Sequence, residues 1–293
     1  MREEHRVGLR YLEDVTALLQ RGRSVHPTKG LYEPAELQWW WRTPRSTDTV
    51  PQLFWFDESG RPEAAVIATQ WGKRMQLDPI VMPNATPDWV SHVVERGLAH
   101  AGECGLGVVQ LEVDRADDVL REALVDHGFA IEEDGLIEAW LTADARPEVS
   151  PLRAGYQLFR RVDRSPRPHH MIKRNGPHVE ERLLQTSLYR PELDLLVVDA
   201  EDSHAAHGLF WFDPLTGAGL VEPMRTEDEH QRRGLARHVL TTGLDLLAEA
   251  GAERIKICFA ADNPAASHLY LDVGFEPVKQ TDVFSGPAAE AAV

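Results

Sequence analysis

Apolar positions in the second half of the chain follow two rhythms. Over Ala236–Ala250, Val239, Leu240, Leu244 and Leu247 recur with the spacing of one helix face. Gly251 stops that run. Arg254–Phe259 then alternates, with Ile255, Ile257 and Phe259 on one side, as a half-buried strand requires. Asn263-Pro264 opens a second helix, an N-cap residue followed by proline at the first helical position. Gly274-Phe275 closes it and turns into a last strand. Upstream, the pattern predicts a helix over Val179–Leu188 and strands over Leu193–Asp199, Gly208–Phe212 and Gly219–Arg225. Turns at Glu201-Asp202-Ser203 and Asp213-Pro214-Leu215-Thr216-Gly217 separate them.

The same features return earlier in the chain at an offset of 146. Gly251 maps to Gly105 and Gly274-Phe275 to Gly128-Phe129, while Ile255, Ile257 and Phe259 map to Val109, Leu111 and Val113. A helix over Trp89–Glu103 carries Val93, Val94 and Leu98 inward. Phe54-Trp55-Phe56-Asp57 matches Phe210-Trp211-Phe212-Asp213 at an offset of 156. The pattern therefore predicts two tandem α/β domains of one fold, each a mixed sheet flanked by helices. Their extents are residues 1–147 and 151–285, joined at the proline-punctuated Arg146-Pro147-Glu148-Val149-Ser150-Pro151. Ser285–Val293 is expected to be a frayed tail.

Composition narrows the class. At 293 residues and 43% hydrophobic content the chain suits two soluble domains. No apolar run reaches the roughly 18 residues of a membrane span. The start, MREEHRVGLRYLEDV, lacks the apolar stretch of a signal peptide. Two cysteines, Cys104 and Cys258, read as reduced core thiols, which places the protein in the cytoplasm. A net charge of −16 argues against nucleic acid. It suits a cationic acceptor, or simply solubility. Against it stand two basic clusters, Gln231–Arg237 and Arg160–Arg174.

The two copies part company where the fourth strand meets its helix. The second copy has Glu222-Pro223-Met224-Arg225-Thr226, an acidic spacer, then Gln231-Arg232-Arg233-Gly234-Leu235-Ala236. The first has Leu77-Asp78-Pro79 through Asn84 to Asp88, with no arginine and no glycine. A helix N-terminus presents unpaired N–H groups and a positive dipole end, glycine lets backbone approach a phosphate, and arginine adds charge-assisted bonds. Arginines in a first turn oppose the usual dipole preference for acids, so a bound anion explains them best.

These residues resemble the pyrophosphate-binding signature of the GNAT N-acetyltransferase superfamily: Gln or Arg, two residues, Gly, one residue, then Gly or Ala. Asn263-Pro264-Ala265-Ala266-Ser267-His268-Leu269-Tyr270 and Val273-Gly274-Phe275 resemble the family too, in order and spacing, over roughly residues 152–284. The first half looks like a degenerate GNAT copy, and the layout is similar to tandem GNAT proteins with one active half. The resemblance implies acetyl-CoA-dependent transfer to a primary amine, with no metal. It places Met224, Arg225 and Thr226 beside the pantetheine and Gln231 to Ala236 on the pyrophosphate, with Arg237 and Asn263 nearby.

Direct transfer from a thioester to an amine needs an oxyanion site, a base and an acid. Freed N–H groups at a bulge near Met224 and Arg225 suit the first, and Pro223, which cannot donate to a ladder, fits a bulge. Tyr270 is the acid candidate, at the position where the family places a tyrosine near the sulfur; the alternative is a core tyrosine. Its counterpart is Leu124, and that of Asn263 is Asp117. Glu222 is the base candidate, expected to have a raised pKa; an ion-paired glutamate with a water chain as base is the alternative. Glu227, Asp228 and Glu229 read as a solvated spacer, and Cys258 as core. His204-Ala205-Ala206-His207 has metal-ligand spacing, but reads as a hairpin turn without a third ligand. His169-His170 and Arg167 lie in a Pro-rich loop, either at the acceptor site or on a plain surface. Trp39-Trp40-Trp41 cannot all face one core on a helix, so one is expected to line a pocket or an interface, including that of a homodimer. The acceptor is expected to be a small-molecule amine. A protein N-terminus or lysine, or a silent acyl-CoA-binding role, are the alternatives.

Overall fold

The computed structural model describes residues 1–289 and divides into two compact units. The first contains β1 (Arg2–Arg6), α1 (Leu9–Val25), the start of α2 (Pro34–Trp40), β2 (Gln52–Phe56), β3 (Pro62–Trp71), β4 (Arg74–Val81), α3 (Pro87–Glu103), β5 (Val108–Asp114), α4 (Asp118–Asp126) and the first half of β6 (Ala130–Thr142). The second takes the end of β6, β7 (Gln157–Arg160), three short helices α5 (Arg161–Arg164), α6 (Ile172–Asn175) and α7 (Val179–Leu184), then β8 (Asp194–Val198), β9 (His204–Asp213) and β10 (Ala218–Thr226). α8 (Leu235–Glu249), β11 (Arg254–Ala260), α9 (Pro264–Val273) and β12 (Glu276–Pro287) complete the order.

Each unit repeats one plan. In the first, β1 to β4 are antiparallel neighbours, β5 lies parallel to β4, and β12 pairs antiparallel with β5. In the second, β7 to β10 are antiparallel, β11 lies parallel to β10, and β6 is the neighbour beyond β11. The compact units thus differ from the division at residues 147–151. The chain from Lys279 onward belongs to the first unit, while Gln38–Thr43 and Ile137–Val278 form the second. Ladder hydrogen bonds are the reason: Thr281–Pro287 runs in register against Asp114–Val108. Ser285–Pro287 is therefore strand rather than a frayed tail, and Ala288 N–H continues to the Gly107 carbonyl (2.6 Å). Positions 290–293 lie outside the described residues.

The repeat at an offset of 146 has structural counterparts. β5 and β11 correspond residue for residue, as do the caps of α4 and α9. Asp117 Oδ1 accepts from Leu120 N–H, and Asn263 Oδ1 from Ala266 N–H, each at 3.1 Å. The offset also links two tight helix–sheet contacts. A Cβ on Gly243 of α8 would stand 2.0 Å from Phe210 Cζ, and one on Gly97 of α3 would stand 2.9 Å from Val66 Cγ2. In both units only glycine lets the helix seat this closely. Val239, Leu240, Leu244 and Leu247 of α8 are fully buried on Phe210, Val221, Ile255 and Ile257. Each such side chain stabilises the unit by roughly 1.5–3 kcal/mol relative to exposure.

Three expectations need correction. The Phe-Trp-Phe-Asp match is local, because Phe54–Asp57 ends β2 whereas Phe210–Asp213 ends β9, the counterpart of β3. Both runs precede a turn whose aspartate accepts backbone N–H groups (Ser59 for Asp57, Leu215 for Asp213), which explains the similarity. Second, the predicted helix over Val179–Leu188 ends at Leu184. Third, Trp39, Trp40 and Trp41 are all buried. α2 ends at Trp40, so Trp41 leaves the helix, and its Nε1 donates to Gln185 Oε1 (2.8 Å) under the Arg182 guanidinium. Among the described residues no helix is long and apolar enough to cross a membrane.

Candidate active site

β10 pairs with β11 only over Ala218–Val221. Beyond Val221 the two parallel strands separate. At the same point β10 bulges against β9: Val221 faces Phe210 and Met224 faces Gly208, so Glu222 and Pro223 together oppose Leu209. The Trp211 indole N–H donates to the Glu222 carbonyl (2.7 Å) and fixes the bulged backbone. This opening lies directly before the start of α8.

α8 begins at Gly234 (φ 80°), with no side chain capping it and no acid in its first turn. Its first backbone bond runs from His238 N–H to the Gly234 carbonyl, leaving the preceding N–H groups outside the helix ladder. Arg232 also takes a left-handed φ of 59°, a strained value for a non-glycine residue. Cations surround this end in held positions. The Arg233 guanidinium donates to Tyr156 Oη (2.6 Å) and the Glu229 carbonyl (2.9 Å). Arg225 and Gln231 Nε2 both donate to Asp228 Oδ1, each at 3.1 Å. Arg174 pairs with Glu227 at 2.8 Å. Glu227 and Asp228 are thus more than a solvated spacer, since they position basic side chains. Arg237 is ion-paired with Asp272 of α9.

The remaining predicted residues are placed as follows. Met224 packs against the core, Leu235 is buried in it, and Ala236 lies in the first turn of α8. Thr226 Oγ1 is buried without a hydrogen-bond partner among the described residues. Glu222 is half-buried at the bulge. Asn263 caps α9, so its carbonyl oxygen is already engaged. Tyr270 packs on Phe259 and Phe275, with ring centroids 5.4 and 6.3 Å away. Phe259 belongs to the part of β11 that has left β10, so Tyr270 borders the opening. Burial pushes its hydroxyl up to about 12, which keeps it protonated at neutral pH. Tyr156 was not singled out from sequence; a lone tyrosine 77 residues before Arg233 leaves no local signal.

Two weaker signals change meaning. His204 and His207 lie in β9, not in a turn. His169 is fully buried, so its loop is not a plain surface. In the Arg160–Arg174 stretch, Arg161 pairs with Glu180, and Arg164 and Arg167 with Asp202.

The counterpart in the first unit is built differently. β4 runs against β3 in unbroken register from Arg74 to Val81. α3 is capped by Thr86 Oγ1, which accepts from Trp89 N–H (3.3 Å), and has Pro87 and Asp88 in its first turn. A cavity of about 560 Å³ lies beside it, lined by Tyr32, Ile80, Met82, Pro83, Asp114 and Asp117 among others. Its lysines serve the chain itself: Lys29 donates to the Pro83 carbonyl (2.6 Å) and Lys279 to that of Gly30 (2.8 Å). Glu112, Asp114, Asp117 and Asp118 make the wall acidic.

Residues 153–275 match the family described as Acetyltransferase (GNAT) family. A mycothiol acetyltransferase of Tsukamurella paurometabola is 38% identical over 63 residues, 22% of each chain. One from Kocuria rhizophila is 31% identical over 96 residues, 31% of this chain and 32% of that protein. The matched stretches thus span only about a quarter to a third of these relatives. In fold, the chain is similar over 99% of its length to a tandem GNAT protein from the clavulanic acid biosynthesis pathway, covering 99% of that chain at 12% identity and a TM-score of 0.72. A GCN5-related N-acetyltransferase from Sphaerobacter thermophilus is similar over 99% of this chain and 97% of its own, at 14% identity and a TM-score of 0.62.

Proposed function

We propose, from the match of residues 153–275 to the GNAT family of acetyltransferases, that the second unit is an acetyl-CoA-dependent N-acetyltransferase acting on a primary amine of a small molecule. The observation that carries the proposal is the conjunction at one place of a bulged, separated strand pair and an uncapped, cation-ringed helix start. The residues fit a pyrophosphate: N–H groups outside the helix ladder, a glycine with φ 80°, and arginines held by neighbours in advance. Acetyl-CoA supplies an acetyl thioester.

The chain's own residues do the rest. A backbone N–H of Met224 or Arg225, whichever points away from β9 next to the bulge, meets the charge that develops on the carbonyl oxygen. Glu222 receives the proton that the attacking amine loses. The Tyr270 hydroxyl holds the proton that the departing thiolate takes. Attack is direct, so no acyl-enzyme is required and Cys258 stays a bystander. The name of the relatives, mycothiol acetyltransferase, supports acetyl as the group carried. The acidic wall and capped helix of the first unit support a single acetyl-CoA per chain.

The test is thiol release from acetyl-CoA across a panel of small amines, with calorimetry of acetyl-CoA binding alongside. Turnover with at least one amine and a stoichiometry of one are expected. Tight binding with no thiol release from any amine would mean a silent acyl-CoA binder. Two equivalent sites would overturn the assignment of the first unit.

A further inference from the structure

The second unit contains a histidine cluster that acetyl transfer does not use. His169 and His170 lie between α5 and α6, Asp194 opens β8, and His204 and His207 lie on β9. Leu196 pairs with His207 and Val198 with His204 across β8 and β9. Partners directly opposite share a face, so Asp194, two residues before Leu196, projects from the same side as both histidines. That side is opposite the one on which α8 packs through Ala206, Gly208 and Phe210.

Asp194 is fully buried, and its two oxygens have different surroundings. Oδ2 accepts from the Tyr189 hydroxyl (2.9 Å) and lies 2.9 Å from His169 Nε2. His169 Nδ1 accepts the Met171 N–H, which puts the ring proton on Nε2 and makes His169 a donor to the carboxylate. Oδ1, by contrast, faces His170 Nε2 at 3.2 Å as a buried ion pair, and neither atom has an aligned hydrogen bond among the described residues. Such a pair repays its desolvation poorly. A dication between the two atoms compensates both. Zinc bonds of roughly 2.0–2.1 Å at a tetrahedral angle set donor atoms about 3.3 Å apart. The same geometry sets imidazole centroids about 5 Å apart. Here the His170 ring lies 5.4 Å from that of His207 and 5.7 Å from that of His204, and the latter two are 4.9 Å apart.

His169, His170 and Asp194 bring ligand atoms within 4.8 Å of one another. We propose that this cluster is a structural site for a borderline transition-metal dication, Zn²⁺ by its donor set, with His170 and Asp194 Oδ1 as central ligands and His204 and His207, whose rings adjoin His170, turning inward to complete the shell. His169 and Tyr189 are its outer partners, orienting the carboxylate through Oδ2 in the manner of second-layer groups around zinc. His204 is partly exposed and provides the entry path. The ion ties the His169-His170 loop to β8 and β9. The step is simple coordination, in which the hydrogen bond between His207 Nδ1 and His204 Nε2 (2.9 Å) gives way to metal bonds and protons leave to solvent.

The full chain, dialysed against a chelator, is titrated with Zn²⁺ by calorimetry and with Co²⁺ by visible absorption. One ion per chain is expected, with the intense visible bands of tetrahedral cobalt and a rise in melting temperature on adding Zn²⁺. His170→Ala and His207→Ala should each weaken Zn²⁺ about 100-fold or more, and Tyr189→Phe about 10-fold. Acetyl-CoA binding, measured on the same samples, should be retained in His207→Ala, which separates this test from that of the proposed enzyme. Zn²⁺ affinity unchanged in His170→Ala and His207→Ala overturns the site. If those variants do not fold, the wild-type chain decides alone: no Zn²⁺ uptake, or no tetrahedral cobalt bands at one equivalent, overturns it.

Discussion

The two helix starts, α3 and α8, occupy equivalent places in one fold and are built on opposite principles. α3 has a side-chain cap in Thr86, a proline that needs no hydrogen-bond partner, and Asp88 complementing the positive dipole end. α8 has none of these. It starts on a left-handed glycine, preceded by a left-handed arginine, with Arg233 and Arg237 at the end where cations destabilise a helix. The strands feeding the two helices differ in the same sense. Asp78-Pro79 of β4 lies in unbroken register, opposite Ile67 and Val66, whereas Glu222-Pro223 of β10 forms the bulge. The second unit thus gives up the local devices that stabilise a helix start in the first. Violations of local consistency that cluster at one place are the mark of a ligand site.

The largest effect expected from this contrast is at Tyr270, whose counterpart is the fully buried Leu124. Tyr270→Phe keeps the ring against Phe259 and removes only the hydroxyl. It should lower kcat by about 10²–10⁴-fold, the usual range for a lost general acid, with KM for acetyl-CoA little changed. Steady-state kinetics on the best amine checks this. An unchanged kcat would make Tyr270 a packing residue like Leu124.

Arg233 comes next. Arg233→Ala should weaken acetyl-CoA binding by about 10–100-fold through a lost charge-assisted contact, with kcat at saturation less affected. Tyr156→Phe, which only frees the arginine from its hydroxyl partner, should do the same more weakly. Calorimetry separates these from Tyr270→Phe. Equal loss of binding in Arg233→Ala and Tyr270→Phe would collapse the distinction between binding and chemistry.

Much of this contrast was legible in sequence because it is local. A glycine–arginine helix start, a proline at a bulge and the Asn263-Pro264 cap are signals a few residues long. The parts that escaped depend on distant partners. β6 and β12 both alternate, and nothing in either strand says that Lys279–Pro287 completes the first unit. That is decided by ladder bonds to Val108–Asp114, more than 160 residues away in sequence. β1 and β7 are short edge strands whose brief patterns carry no period. The His169-His170 loop reads as acceptor site or plain surface, and not as a buried cluster, because its partners, Asp194 and His207, sit on strands that only the fold brings to it. The tryptophan triplet is buried whole for a different reason: the helix ends inside it.

The acid–proline pair offers a third test. Asp78 is buried, accepting from the Tyr32 hydroxyl (2.6 Å) and Gln76 Nε2 (2.8 Å), and burial pushes its pKa up to about 7. The unfolded value is about 3.9. Between these values the folded chain holds the extra proton, so stability declines as pH rises. From pH 6 to pH 8 this group should remove about 1.4 kcal/mol of stability from the first unit. Asp78→Asn should flatten that decline in denaturant unfolding followed at both pH values. A decline that persists unchanged in the variant would assign it elsewhere.

The smallest effect bears on the feature the two units share most closely. Asn263 and Asp117 cap α9 and α4 with the same bond at the same length, 3.1 Å. Replacing either by alanine should cost about 1 kcal/mol, the typical value of an N-cap. The resemblance to the family also places Asn263 near the cofactor, yet its side-chain oxygen is already committed to Ala266 N–H. Asn263→Ala and Asp117→Ala should therefore destabilise their units alike, and Asn263→Ala should change acetyl-CoA affinity less than Arg233→Ala does. Asp117→Ala should not change it at all. Melting curves and calorimetry on the matched pair decide the matter. A loss of affinity in Asn263→Ala as large as that in Arg233→Ala would make the α9 cap a binding group in its own right, and the asymmetry between the units would then extend from the start of α8 to the start of α9.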